Sequence, residues 1–273
     1  MSRSFAQVDV FGSGPCSGNP VAVVLEAEGM TDEEMQRFAR WTNLAETTFV
    51  LPPAQAGADY RVRIFTPVLE LPFAGHPTLG TCHAWLEAGG EAGEEIVQEC
   101  EAGLVRIRRE GERLAFAAPP MVRSGPASEE DRAKVAEALK VEPDELLAVE
   151  WVDNGPGWIT ALLESPTRLL ELRPGPLEFD LGAVALYPTG SEAAIELRAW
   201  APVNGMAAED PVTGSLNASV AQWLLADGRL GAPYLAHQGT AIEREGRIYV
   251  SEGDAEIWIG GRTETVVAGE VEV

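Results

Sequence analysis

Residues Leu69–Gly90 read LELPFAGHPTLGTCHAWLEAGG. Pro77 stands just behind Gly75 and His76, and proline suits a first helical turn, where its missing N–H would have no partner. The glycine before it allows a close approach of the backbone. The spacing predicts a helix running through Leu79, Trp85 and Leu86 and ending near Gly89. Such a start presents N–H groups and a histidine to whatever lies in front of it, a place suited to an anion.

A second segment, EDPVTGSLNASVAQWLLADGRL from Glu209, has the same design. Gly214–Gly228 repeats the spacing of Gly75–Gly89 and encloses one apolar helix. Upstream, RIFTPV from Arg63 matches RAWAPV from Arg198. Two matches in the same order predict a duplicated unit. Pseudo-symmetric halves are expected to point both helix N-termini into a cleft. Two positive helix ends, each worth about 0.3–1 kcal/mol when exposed, then make a carboxylate site without a lysine.

The rest of the pattern is mixed α/β. Phe5–Val10 and Val21–Leu25 read as strands around the loop GSGPCSGNP. A helix opens at Thr31 with a capping box to Glu34 and runs through Met35, Phe38 and Trp41. TTFVL and YRVRIF read as strands, and EIVQEC, LVRIRRE and RLAFAAP as an antiparallel meander. Ser128–Lys140 reads as an amphipathic helix, WITALLE, VALYP and AIELRAWAPV as strands. The last segments, AIEREGRIYVSEGDAEIWIGG and ETVVAGEVEV, read again as hairpins. The boundary is expected in the polar stretch Pro119–Asp131, giving lobes 1–120 and 121–261. The final strand, about 262–273, is a candidate to return to the first lobe.

Lys+Arg 20 against Asp+Glu 43 gives a net charge of −23, with lysine only at Lys134 and Lys140. So acidic a chain speaks against nucleic acid or an anionic membrane as partner. Cys16, Cys82 and Cys100 are odd in number and irregularly spaced, which fits a reducing compartment. MSRSFAQVDVFGSG has no apolar leader core, and no apolar run has transmembrane length, so the expected location is cytoplasmic.

Several residues could carry chemistry. Glu46, in WTNLAETTFV, is a carboxylate among Leu44, Ala45, Phe49 and Val50, surroundings that raise a pKa toward that of a proton shuttle. His76 sits at a helix start, unlike His83 inside the helix. Asp210 precedes Pro211 and doubles as a turn former. GSGPCSG has Ser17 where a dinucleotide fingerprint needs its third glycine, and TGSLN lacks the G-x-S-x-G elbow of a hydrolase. No H-E-x-x-H or paired C-x-x-C is present, so neither a metal nor another cofactor is expected.

FGSGPCSGNPVAVV, NLAETTFV, FTPVLELPFAGHPTLG and EDPVTGS occur in one order along the chain. In these motifs the chain resembles the phenazine-biosynthesis PhzF-like family, which shares the diaminopimelate epimerase fold. The resemblance implies an α/β protein of the α+β type with two pseudo-symmetric lobes. Each lobe is a strongly curved, barrel-like, mostly antiparallel sheet around a central helix, with the active site in the cleft. It places the catalytic residues at Glu46, His76 and Asp210, and substrate binding at Asn19, Gly75, Gly214 and Ser215. The epimerase relatives use a cysteine at each helix start; here those places hold His76 and Ser215, which leaves one-base transfer by Glu46. The implied activity is that of a cofactor-independent isomerase, a homodimer, moving a proton and a double bond in a small carboxylate. An epimerase or racemase on a similar substrate, and a non-catalytic metabolite-binding protein, remain the alternatives.

Overall fold

The computed structural model describes residues 1–253 and 255–273. In chain order the first elements are β1 (Ser2–Val10), β2 (Asn19–Val24), α1 (Asp32–Thr42), β3 (Glu46–Leu51), β4 (Tyr60–Phe65), β5 (Glu70–Leu71) and α2 (Gly75–Glu87). Then come β6 (Glu95–Cys100), β7 (Gly103–Glu110), β8 (Arg113–Ala117), β9 (Arg123–Pro126), α3 (Glu129–Leu139), β10 (Leu146–Asp153) and β11 (Ile159–Leu163). The chain ends with α4 (Pro166–Glu171), β12 (Leu181–Leu186), β13 (Ile195–Val203), β14 (Met206–Asp210), α5 (Gly214–Ala226), β15 (Tyr234–Gln238), β16 (Gly246–Gly253) and β17 (Glu256–Glu272). These elements form two compact units, Met1–Ala117 with Gly260–Val273, and Ala118–Ile259.

In the first unit the hydrogen bonds run in a ring, β1–β2–β3–β4–β6–β7–β8–β17 and back to β1, a closed 8-strand barrel. The pairs β2–β3 and β4–β6 are parallel. Helix α2 packs on β1, β2, β3 and β8, and every residue from Gly75 to Cys82 is buried. A helix surrounded by strands needs small residues where the walls come closest. Gly80 is such a place: a Cβ there would stand 2.3 Å from Cγ1 of Val21. Helix α1 lies on the other face of the sheet, where Met35 and Phe38 pack with Phe49 and Phe65. Its start is the expected capping box, with the Thr31 hydroxyl and the Glu34 carboxylate each accepting the other residue's backbone N–H.

The second unit repeats the order. Elements β10, β11, α4, β12, β13, β14, α5, β15 and β16 follow one another as β1, β2, α1, β3, β4, β5, α2, β6 and β7 do, with β11–β12 and β13–β15 as the parallel pairs. Arg63 of β4 grips Glu70 of β5 through Nε and Nη2 at 2.7 and 2.6 Å. Arg198 of β13 grips Glu209 of β14 in the same way at 2.9 and 2.6 Å. Helix α5 is buried like α2, while α3 and α4 cover the outer face of β12 through Val135, Leu139 and Leu169.

At the C-terminus the segments read as hairpins supply β16, which is bonded to its neighbour β17, and β17 itself continues through Gly260 and Gly261 into the last segment without a turn. A Cβ at Gly261 would stand 2.2 Å from the Phe11 ring, so this glycine serves close approach. The elements without a sequence expectation are the short helix α4 and strands β5, β9, β10, β14 and β15.

Candidate active site

Glu46 is the first residue of β3, reached from α1 through Asn43 in the left-handed conformation. Two residues on, the Thr48 hydroxyl accepts from Thr81 of α2 at 2.8 Å, while Phe49 packs on the α1 side. Alternation along the strand therefore turns Glu46, like Thr48, toward α2. There its Oε2 lies 3.2 Å from Nε2 of His76, the second residue of α2, with side-chain exposures of 15% and 6%. Nδ1 of His76 lies 3.3 Å from Nδ2 of Asn19, a buried residue at the start of β2. Three of the expected residues, Asn19, Glu46 and His76, are thus in one chain of contacts.

Burial holds the His76 ring down at about 3, with a contact to the Pro20 carbonyl offsetting only part of the effect. The imidazole is neutral at physiological pH. It is a weak base, yet it still carries an N–H to donate. Gly75 opens the helix behind Ala74, which offers no side-chain cap, and the first turn holds no acidic residue. The positive end of α2 is left without an internal counter-charge.

The second unit carries the other expected residues around the start of α5. Thr213 is the N-cap, yet its hydroxyl does not cap the helix. It donates to Oδ2 of Asp210 at 2.5 Å and accepts from Nε2 of Gln238 at 2.9 Å. Oε1 of Gln238 takes the Thr213 N–H at 3.0 Å and Nδ2 of Asn217 at 2.8 Å. Gly214 and Ser215 follow, again with no acidic residue in the first turn. Trp158 donates its indole N–H to the Ser215 hydroxyl at 3.1 Å, and Asn154 donates to the Ser215 carbonyl at 2.8 Å. An indole can only donate, so the Ser215 hydroxyl keeps its own proton for another acceptor.

Gln238, Asn217, Trp158 and Asn154 were not singled out by the sequence. For Gln238 the one available signal was an amide within a strand, and Gln98 of β6 is a second such amide, donating to Thr78 of α2 at 2.9 Å. The remaining histidines serve other networks. His83 meets Thr263 and Thr265, and His237 lies beside Arg247.

A family model described as phenazine biosynthesis-like protein matches residues 8–269. The chain belongs to this phenazine biosynthesis-like family. It is 34% identical to antisense-enhancing sequence 1 of Schizosaccharomyces pombe, over 98% of this chain and 98% of that one. It is 35% identical to the trans-2,3-dihydro-3-hydroxyanthranilate isomerase of Pseudomonas aeruginosa, over 92% and 91% of the two chains. Among solved structures, a PhzF-family phenazine biosynthesis protein of Bacillus anthracis superposes with a TM-score of 0.84 at 24% identity, covering 100% of both chains. The family assignment made from the four sequence motifs stands, and so does the fold it implied. Among the described residues of this phenazine biosynthesis-like protein no helix is long and apolar enough to cross a membrane.

Proposed function

We propose that the protein is a cofactor-independent isomerase of a small carboxylate, with Glu46 as the single acid–base group that moves the proton at carbon. The observation that carries this reading is the 3.2 Å contact between Oε2 of Glu46 and Nε2 of a buried, neutral His76. An imidazole held at about 3 is a poor base, and in this reading the carboxylate takes the proton from carbon and returns it elsewhere. His76 donates a hydrogen bond as charge builds, and Asp210 orients a polar substituent. Asn19, Ser215 and the N–H groups at Gly75 and Gly214 bind the substrate and its carboxylate. The uncapped starts of α2 and α5 support that assignment. The working form in this reading is a cytoplasmic homodimer, which light scattering at micromolar concentration tests.

The Pseudomonas aeruginosa relative is named for trans-2,3-dihydro-3-hydroxyanthranilate, so this compound heads the substrates to try. The experiment follows deuterium incorporation from deuterated water into that compound and into a pool of small carboxylates. Wild type is expected to exchange and Glu46→Gln to be inert. Equal exchange by the two proteins would remove Glu46 from the reaction.

A further inference from the structure

The repeat has a second carboxyl where Glu46 sits in the first unit. Residues Glu46–Val50 read ETTFV and residues Asp180–Val184 read DLGAV, nearly the same distance ahead of Arg63 and Arg198. The ladder agrees. The first pair of β11 with β12 is Ile159 with Leu181, and the Ile159 N–H donates to the Asp180 carbonyl at 3.2 Å, so Asp180 continues that ladder by one residue. Glu46 opens the ladder of β2 with β3 opposite Val21.

The faces agree as well. Leu181, Ala183 and Ala185 pack outward with Val135, Leu139 and Leu169. On the opposite face, a Cβ at Gly182 would stand 3.0 Å from both terminal methyls of Leu216, the third residue of α5. Alternation puts Asp180 on that α5 side with Gly182, as it puts Glu46 on the α2 side with Thr48. Next to it in the ladder, Trp158 holds the Ser215 hydroxyl. We propose that Asp180 is the second repeat's counterpart of Glu46, a general acid for the ligand oxygen bound at Ser215. This rests on the isomerase reading above.

The Asp180 carboxyl makes no hydrogen bond or ion pair among the described residues. Burial, and then the charge of Asp153, raise its pKa to about 6. Asp153 itself is fixed by the N–H groups of Gly155 and Gly157, each at 2.7 Å. As the C–H bond breaks, its electron pair moves onto the ligand oxygen and the Asp180 O–H bond breaks to protonate that oxygen. When the new C–H bond forms, the oxygen returns the proton to Asp180. No proton is consumed.

The test measures turnover and deuterium exchange of the same carboxylate pool against pH for wild type, Asp180→Asn, Asp180→Glu, Asp153→Asn and Glu46→Gln. Asp180→Asn is expected to lower kcat by about 100-fold with KM nearly unchanged, a typical share for one acid–base group. Asp180→Glu should recover part of that. Because the acid must be protonated, wild-type kcat/KM should fall as pH rises through about 6. That limb should move to lower pH in Asp153→Asn and vanish in Asp180→Asn. An Asp180→Asn protein with wild-type rate and pH profile, beside an inert Glu46→Gln, overturns the inference and leaves the isomerase reading standing. If Asp180→Asn does not fold, an unmoved limb in Asp153→Asn overturns it equally. A wild-type protein that exchanges no proton with any of these compounds overturns both.

Discussion

Arg198 holds Glu209 through two guanidinium nitrogens, with side-chain exposures of only 3% and 10%. Its remaining nitrogen donates to the carbonyls of Leu169 and Leu172, both at 2.9 Å, at the end of α4. One guanidinium thereby ties β14, the strand that ends in Asp210, to β13 and α4. The corresponding pair in the first unit, Arg63 with Glu70, is more open at 18% and 29% and shares Arg63 with Asp32.

The two repeats of this ion pair should therefore differ in cost. Removing one partner of a buried pair strands the other and typically costs about 3–5 kcal/mol, against about 0–1 kcal/mol for an exposed pair. Glu209→Ala is expected to fall in the first range and Glu70→Ala near the second. Urea unfolding of both variants measures the difference. Equal losses would mean that burial does not set the strength of these pairs.

Gly80 offers a test of the packing around α2. In an exposed helix interior, glycine to alanine gains about 1 kcal/mol. Here the new methyl would stand 2.3 Å from Val21 and 3.0 Å from Val10, so Gly80→Ala is expected to lose about 1–3 kcal/mol through overpacking. The double variant Gly80→Ala with Val21→Ala should recover part of that loss. A stabilised Gly80→Ala in thermal unfolding would show that the barrel wall yields freely at this point.

Much of the first unit was legible because its signals are local. The capping box at Thr31, the proline in the first turn of α2 and the carboxylate after Asn43 each lie within a few residues. Asp180 was not legible in the same way. DLGAV shares little with ETTFV, and the equivalence arises from ladder register and from which face α3 and α4 cover. Helix α4, with 6 residues, is too short to show a period. Gly260 and Gly261 carry the ordinary signal of a turn, and only their neighbours, Ala115 beside Gly260 and the Phe11 ring beside Gly261, reveal their use as thin places in a strand.

His76 should make stability depend on pH. Its ring is held at about 3 in the folded protein against an ordinary value near 6.5. Below 6.5 the unfolded chain binds a proton that the folded chain does not. Stability is therefore full above about 6.5 and declines as pH falls toward 3, by at most about 1.4 kcal/mol per pH unit for this group. His83 and His237, also shifted down by burial, add to the upper part of that decline. Comparing His76→Asn with wild type between pH 4.5 and 6.5 isolates the His76 share, and the variant's slope should be shallower by close to one proton. Parallel curves would show that the imidazole is solvated.

The roles assigned to Glu46, Asp210 and Ser215 separate in a comparison of kcat with affinity. Glu46→Gln keeps the shape of the side chain and removes its titration, so ligand affinity should stay within a few-fold. Turnover should fall by about 10²–10⁴, the range for a placed acid–base group. Ser215→Ala removes a hydroxyl whose proton is left for a ligand by the Trp158 donor, and Asp210→Asn alters the carboxylate that receives the Thr213 hydroxyl. These two variants should lose affinity together with turnover. The wild type should in addition carry substrate-derived hydrogen into product, diluted by exchange with solvent, because one carboxylate holds the proton between two carbons. Calorimetry of ligand binding beside steady-state rates makes the comparison. A Glu46→Gln protein that binds weakly yet turns over normally would reduce the carboxylate to a binding contact, and the base would then have to be sought elsewhere.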